Sequence, residues 1–180
     1  MIGLRERFNK TILKSYQKNY NTHVMAVPRL RSVTLNMTGR LLLKNNLLLG
    51  EIKRDLELIT GQTPIVCYAR RSIAQWSIRK GFPSGAKVTL HRDRMYNFIE
   101  KLITIVAPRI SDFRGFNRNA FDCTGNYSIG IKDYTCFPEI RFDSLSKVRG
   151  LDIAISTSAC NSQECFQLLE HIGFPFNKMD

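Results

Sequence analysis

The spacing of apolar residues switches between two periods along the chain, and this switching constrains the fold more than any other feature. Between residues 32 and 38, apolar and polar side chains alternate, which predicts a strand with one buried face and one polar face. Leu48, Ile52, Leu56 and Ile59 instead lie on one stripe of a helix. A chain that mixes strands and helices in this way is expected to adopt an α+β fold.

The same two periods divide the rest of the chain. Helices are predicted over residues 4–20, 44–60 and 93–106 and between Ser162 and Gly173, and strands over 32–38, 75–79, 87–91, 127–131 and 151–155. Gly61 and Gly173 are expected as left-handed helix ends, and Ser162 as the N-terminal cap of the last helix. These elements favour a mainly antiparallel sheet with helices packed on one face and the other face open. The 180 residues fit a single domain, with a helix within 1–22 and a core over 23–180.

The charge of the chain favours a polyanionic partner. Lys and Arg number 27 against 15 Asp and Glu, a formal net charge of +12. Residues 70–94 carry seven of the bases and one acid, Asp93, so half of the net charge lies in one short stretch. Gly81, Pro83 and Gly85 interrupt this stretch, which predicts two strands joined by a flexible basic loop over about 70–85 with Phe82 at its tip. A solvated hairpin with incidental charge is the alternative.

The polar face of the predicted strands carries short hydrogen-bonding side chains. Such groups suit the shallow minor groove of A-form RNA, which displays 2′-hydroxyls. A sheet face covered by another part of the chain fits the same periodicity. The outward residues are Thr34, Asn36, Lys87, Thr89 and His91, and Arg92 and Arg94 follow as candidate phosphate contacts.

No pattern in the sequence indicates an enzyme, a metal site or a membrane anchor. The five cysteines form neither a zinc motif nor an even disulfide framework, so reduced thiols are expected. His23, His91 and His171 have no nucleophile at a recognisable spacing. Apolar runs are interrupted by charge or Pro, which disfavours membrane binding. We therefore expect no catalytic residue, no cofactor and no metal.

Several motifs, in order along the chain, resemble the bacterial-type family of large-subunit ribosomal protein five. The resemblance runs from about Val24 to Lys178. The motifs are MAVPR at 25–29, VTLNM at 33–37, TGQTP at 60–64, ARRSIA at 69–74, IRKGFP at 78–83, GAKVTL at 85–90, DFRG at 112–115, GNYS at 125–128, FPEI at 137–140 and RGLDI at 149–153.

The resemblance implies an RNA-recognition-like fold whose open sheet face binds 5S RNA in the central protuberance. It implies RNA contacts by Asn36, Gln62 and Thr89, and a loop that faces the tRNA in the peptidyl site. The implied partners are 5S RNA, large-subunit RNA, this tRNA, neighbouring central-protuberance proteins and a protein of the small-subunit head. The loop residues are Arg70, Arg71, Gln75, Arg79, Lys80 and Phe82.

The sequence departs from the bacterial pattern at two places. Thr38-Gly39-Arg40 replaces a Gly-x-Gly turn, and His91 stands where relatives commonly carry Arg. These departures and the five cysteines suggest an organellar version, and with Met1 near the family's own start we expect a mitochondrion-encoded protein; plastid stroma and bacterial cytoplasm are the alternatives. The competing function is a non-ribosomal RNA-binding factor that uses the same fold.

Overall fold

The computed structural model describes residues 4–8, 10, 13–20, 23, 25–38, 46–76, 78–140 and 149–177. The described helices are α1 (Leu4–Arg7), α2 (Leu13–Tyr20), α3 (Asn46–Thr60), α4 (Arg92–Lys101) and α5 (Ser162–Ile172). A π-helical turn and a 3-10 turn extend α4 as far as Arg109. The described strands are β1 (Leu30–Thr38), β2 (Ile65–Tyr68), β3 (Pro83–Leu90), β4 (Tyr127–Ile131) and β5 (Leu151–Thr157).

The strands form one antiparallel sheet in the order β2-β3-β1-β5-β4. The first strand in the sequence, β1, is therefore the central strand. β2 and β3 form an antiparallel pair in which Ile65 lies opposite Lys87 and Cys67 opposite Gly85. The predicted α+β class and antiparallel sheet are confirmed.

Side chains along β1 and β3 alternate between a buried and a polar face. Val33, Leu35 and Met37 of β1 are buried, as are Val88 and Leu90 of β3, while the residues between them are exposed or half-buried. A slip of one residue in the pairing would move every one of these apolar side chains into water. The hydrophobic pattern therefore fixes which face of each strand is polar.

The helix ends follow local backbone chemistry, with one correction. Gly61 ends α3 at φ +64 and donates its N–H to the Glu57 carbonyl at 2.7 Å, and Gly173 ends α5 at φ +104. Both predicted glycine caps are confirmed. The predicted Ser162 cap is wrong, because Asn161 holds the extended N-cap position and Ser162 is already helical.

The chain divides into two compact units. The first comprises residues 1–33, 90–129 and 154–180, and the second comprises 34–89 and 130–153. An aromatic cluster fills part of the first unit, with Phe121 and Tyr127 rings 4.4 Å apart and Phe176 against both. Leu35, Ile52, Leu56 and Val88 are among the buried side chains of the second. The single domain stays a prediction.

Three expectations about secondary structure need correction or fall outside the described residues. The predicted strand over 75–79 is wrong, because Ala74–Trp76 forms a 3-10 turn and Ile73 and Ile78 make an isolated bridge. β2 was not predicted, since four residues are too short for alternation to be recognised. Ile12 and the Gly39-Arg40 turn lie outside the described residues.

Gly85 allows β3 to approach the end of β1 closely. A Cβ atom at this position would lie 2.4 Å from the Met37 carbonyl oxygen and 2.8 Å from Thr38 Cγ2. Backbone atoms of a central strand cannot move aside without disturbing the pairing on both sides. The predicted loop over 70–85 therefore ends before Pro83, and Gly85 serves strand packing instead of loop mobility.

Gly85→Ala should lower the free energy of unfolding by about 1–3 kcal/mol, the usual cost of overpacking. Gly50→Ala is the matched control, because Gly50 is in helix α3 and its added Cβ would meet nothing within 4 Å. That control should raise the free energy of unfolding by about 0.5–1 kcal/mol. Thermal and urea unfolding of both variants measure the difference, and equal effects would contradict the close approach.

Candidate nucleic-acid interface

The polar face of β1 and β3 brings together four of the predicted site residues. We define the polar face as Thr34 and Asn36 of β1 with Lys87 and Thr89 of β3, all in the second unit. The Thr34 and Thr89 hydroxyls are 3.3 Å apart, which shows that the two strands present these side chains on the same side. Lys87 is exposed and the other three are half-buried.

Asn36 and Lys87 are the members of the polar face with unused hydrogen-bonding capacity. Among the described residues, neither side chain has a hydrogen-bond or ion-pair partner. An amide offers two donors and an acceptor, and an ammonium offers three donors. The polar face therefore presents hydrogen-bond donors, a hydrogen-bond acceptor and one positive charge.

Gln62 adjoins the polar face from the end of α3. Its side-chain amide nitrogen is 3.5 Å from the Thr89 carbonyl oxygen, at the far end of β3. The Gly61 cap turns the chain sharply here, and the Gln62 N–H donates to the Thr60 hydroxyl at 3.3 Å. The structure thus brings Gln62 next to Thr89, although 27 residues separate them in the sequence.

The character of this side of the sheet changes at both edges of the polar face. Ile65 on β2 is 66% exposed, and its pairing with Lys87 places it on the same side. Asp152 on β5 is exposed, and its Oδ1 would lie 3.9 Å from a Cβ at Gly130 of β4. A negative charge is therefore favoured beside Lys87 of β3 and disfavoured beside Asp152 of β5.

A buried polar network holds α3 in the second unit. The Tyr134 hydroxyl donates to Asp55 Oδ2 at 2.9 Å, and Arg149 donates to Glu51 Oε2 at 2.8 Å and lies 3.9 Å from Asp55. The Arg149 and Asp55 side chains are 14% and 17% exposed, so their charges interact in a largely desolvated setting, whereas Glu51 is 42% exposed. Burial raises the pKa of Asp55, and the Tyr134 hydrogen bond and Arg149 oppose that rise.

Sequence reasoning missed this network. Glu51 and Asp55 are four residues apart on a helix, which gives one carboxylate face, but Tyr134 and Arg149 approach it from 79 and 98 residues away. The helical spacing of the two carboxylates was the available signal, and it does not indicate which distant residues will contact them. The network matters for the site because α3 ends at Thr60, directly before the turn that carries Gln62.

Three sequence-predicted contacts, His91, Arg92 and Arg94, lie in the first unit. His91 follows β3, occupies the N-cap position of α4 and donates from Nδ1 to the Arg31 carbonyl at 3.2 Å. Arg92 and Arg94 lie in the first turn of α4 and are exposed. Arg92 has φ +50, a left-handed conformation that L residues seldom adopt and that is enriched at functional sites. The acid between them, Asp93, is paired with Arg5.

The basic loop between β2 and β3 is a hydrogen-bonded extension of their hairpin. Ala69 donates its N–H to the Phe82 carbonyl at 2.8 Å and accepts from the Gly81 N–H at 2.9 Å. Farther out, Ile73 and Ile78 exchange backbone bonds of 2.8 and 3.1 Å. The turn over 74–76 is therefore the tip, and the prediction that Phe82 lies at the tip is wrong because Phe82 is bonded at the base.

Every described side chain on the outer part of this loop is exposed except the half-buried Ile78. Two apolar side chains, Ile73 at 40% and Phe82 at 38% exposure, stand among the bases. The exposed predicted residues are Arg70, Arg71, Gln75, Arg79, Lys80 and Phe82. The loop thus combines positive charge with apolar surface, whereas the polar face of the sheet does not.

Within the described part of the chain, no three His, Cys, Asp or Glu side chains are grouped so as to hold a metal ion. No helix within those residues has the length and apolarity needed to cross a bilayer.

Two family models match the chain, and together they cover most of it. Residues 23–79 match a model described as ribosomal protein L5. Residues 83–176 match a second model, which describes the C-terminus of the same ribosomal protein family. The boundary between the matches falls at the base of the loop, directly before β3. The second match alone covers more than half of the chain.

Proposed function

The chain belongs to the ribosomal protein L5 family, and we propose that it binds 5S RNA in the central protuberance and contacts tRNA in the peptidyl site. Membership of this family gives it a structural role in the large ribosomal subunit, together with ribosomal RNA. The family is structural and not enzymatic. The proposal concerns the particular RNAs and the residues that contact them.

The polar face is the observation that carries the 5S RNA proposal. Thr34, Asn36, Lys87 and Thr89 lie on one side of adjacent strands, and Asn36 and Lys87 have no partner among the described residues. Short polar side chains can exchange hydrogen bonds with 2′-hydroxyls and base edges, which are displayed in the minor groove and in loops of RNA. Gln62, beside Thr89, adds a side-chain amide to this surface.

The exposed loop supports the proposal of a tRNA contact. Its bases can neutralise backbone phosphates, and its exposed Ile73 and Phe82 can pack against sugars or bases. The backbone hydrogen bonds that join Ala69 to Gly81 and Phe82 make the loop a continuation of the β2–β3 hairpin. A contact made by a projecting hairpin suits a ligand that arrives and leaves in each elongation cycle.

Further partners and the compartment belong to the same proposal. We expect contacts with large-subunit RNA, with neighbouring central-protuberance proteins and with a protein of the small-subunit head. The family implies a ribosomal location. A mitochondrial ribosome is the proposed one, with plastid and bacterial ribosomes as alternatives.

A non-ribosomal RNA-binding factor with this fold is the competing function. Sedimentation of the native protein distinguishes the two. Co-migration with large subunits through a high-salt wash supports the ribosomal role. Release of the protein from the particle at that step supports the alternative.

The first prediction concerns the polar face. Asn36→Ala, Gln62→Ala and Thr89→Ala should each weaken the affinity for a bacterial 5S RNA transcript by about fivefold or more, since a lost hydrogen bond costs about 1 kcal/mol. Filter binding measures the affinity. Ser128→Ala is the control, because this exposed serine is on β4, and strand β5 separates β4 from the strands of the polar face.

Melting temperatures of these variants separate a lost contact from a lost fold. Asn36→Ala is the cleanest test, because its amide has no partner among the described residues and its removal should leave stability unchanged. Normal affinity in all three variants, with normal melting temperature, would move the RNA contact off this face.

The second prediction concerns the loop. Replacing residues 72–80 with a short Gly-Ser linker should preserve assembly into the large subunit and weaken retention of tRNA in the peptidyl site. The bonds from Ala69 to Gly81 and Phe82 lie outside the replaced segment, so the β2–β3 hairpin keeps its base. Filter binding of tRNA to purified ribosomes is the measurement.

A charge-only variant tests the physical cause. Arg79→Gln with Lys80→Gln should give part of the defect if phosphate contact supplies the attraction. Normal tRNA retention with the linker would exclude the tRNA role. Failure of the linker variant to assemble would show that the loop anchors ribosomal RNA instead.

A further inference from the structure

Basic residues from two distant segments of the sequence meet at the start of α4, in the first unit. Arg29 directly precedes β1 and Arg31 is its second residue, whereas His91, Arg92 and Arg94 come from the junction of β3 and α4. We call these five residues the basic corner. All five are exposed. Sequence reasoning identified the second segment and not the first, because only folding brings Arg29 and Arg31 to it.

Backbone hydrogen bonds fix the position of the first segment. The Arg29 N–H donates to the Ser158 hydroxyl at 2.8 Å, and its carbonyl accepts from the Ser158 N–H at 2.8 Å. The Arg31 carbonyl accepts from His91 Nδ1 at 3.2 Å, which ties the two segments together. Both arginines therefore extend from ordered backbone, so a ligand need not order the chain before it binds.

The two acids of α4 are already engaged. Asp93 is paired with Arg5, and Glu100 accepts the Leu4 N–H at 3.3 Å. Burial raises the pKa of Tyr96, and the charges of Arg29 and Arg5 oppose that rise. Within the described part of the chain, Arg29 and Arg31 have no carboxylate partner.

The helix itself adds to this positive potential. The N-cap His91 makes no side-chain hydrogen bond to the first turn of α4. The N–H groups of a first helical turn carry partial positive charge and favour anions. Here that effect accompanies four guanidinium groups.

We propose that Arg29 and Arg31 join Arg92 and Arg94 in binding the phosphodiester backbone of ribosomal RNA. This inference rests on the proposed function and assigns a second kind of contact to it. The polar face offers hydrogen bonds to sugars and bases. The basic corner instead offers positive charge and planar guanidinium groups, which can donate two parallel hydrogen bonds to phosphate oxygens. An acidic protein surface is the less favoured ligand, since none of the five residues of the basic corner is apolar and could form the centre of a protein interface.

The test is the salt dependence of binding by the full-length chain to a bacterial 5S RNA transcript. Each phosphate neutralised adds about 0.7–0.9 to the slope of log affinity against log salt. Arg29→Gln with Arg31→Gln should therefore flatten the slope by about 1.5. Asn36→Ala should shift the whole line to weaker affinity and leave its slope unchanged.

Two controls separate a specific contact from lost charge or lost structure. Arg54→Gln with Lys132→Gln removes the same charge from exposed positions of the second unit, and its slope should equal that of the wild type. Arg29→Lys with Arg31→Lys keeps the charge and should restore most of the slope. A Lys pair that stays flat would show that the effect is structural, which would overturn the inference.

The outcomes distinguish this inference from the function on which it rests. Wild-type protein that fails to bind the transcript above background would remove the proposed 5S RNA function itself. Wild-type binding with an equal slope in the Arg29 and Arg31 variant and in the charge control would overturn the basic corner alone. Under that result an acidic protein surface becomes the ligand to examine.

Discussion

The alternation of side chains along β1 and β3 is the constraint on which the polar face depends. Val33, Leu35 and Met37 occupy the buried side of the central strand. Thr34 and Asn36 therefore lie on the opposite side, because successive side chains of a strand point to opposite faces. Burying each large apolar side chain is worth about 1.5–3 kcal/mol, which makes any other register far less stable. The polar face is therefore fixed by the core beneath it, and Gly85 lets the two strands come close enough to present it as one surface.

Polar groups away from the sheet position the parts of the site that alternation does not reach. Tyr134, Arg149 and the carboxylates of α3 satisfy one another in a mostly desolvated network, and α3 leads into the turn that sets Gln62 beside Thr89. Removing Arg149 would leave the largely buried Asp55 carboxylate without its cation, which is destabilising. Such a network specifies one position of the helix.

The basic residues of the loop and those of the basic corner stand in different surroundings. On the loop the bases stand on a hydrogen-bonded hairpin among exposed apolar side chains, whereas at the basic corner they lie on backbone held by Ser158 and His91. Positive charge on either surface would attract phosphate at a distance, and attraction of this kind is weakened by salt. The polar face adds directional hydrogen bonds, which salt affects much less.

The sequence by itself determined the α+β class, the helix-ending glycines, the polar side of β1 and the concentration of charge over 70–94, because each depends on neighbours within a few residues. It also showed the family through motifs in order along the chain. Only the tertiary structure decided that β2 pairs with β3, that the tip of the loop is at 74–76 and that Gly85 belongs to a strand. It alone joined Arg31 to His91 and Tyr134 to Asp55, which are 60 and 79 positions apart. Hydrophobic periodicity carries no information about which distant segments will pack together, because it records only the burial of each segment's own face.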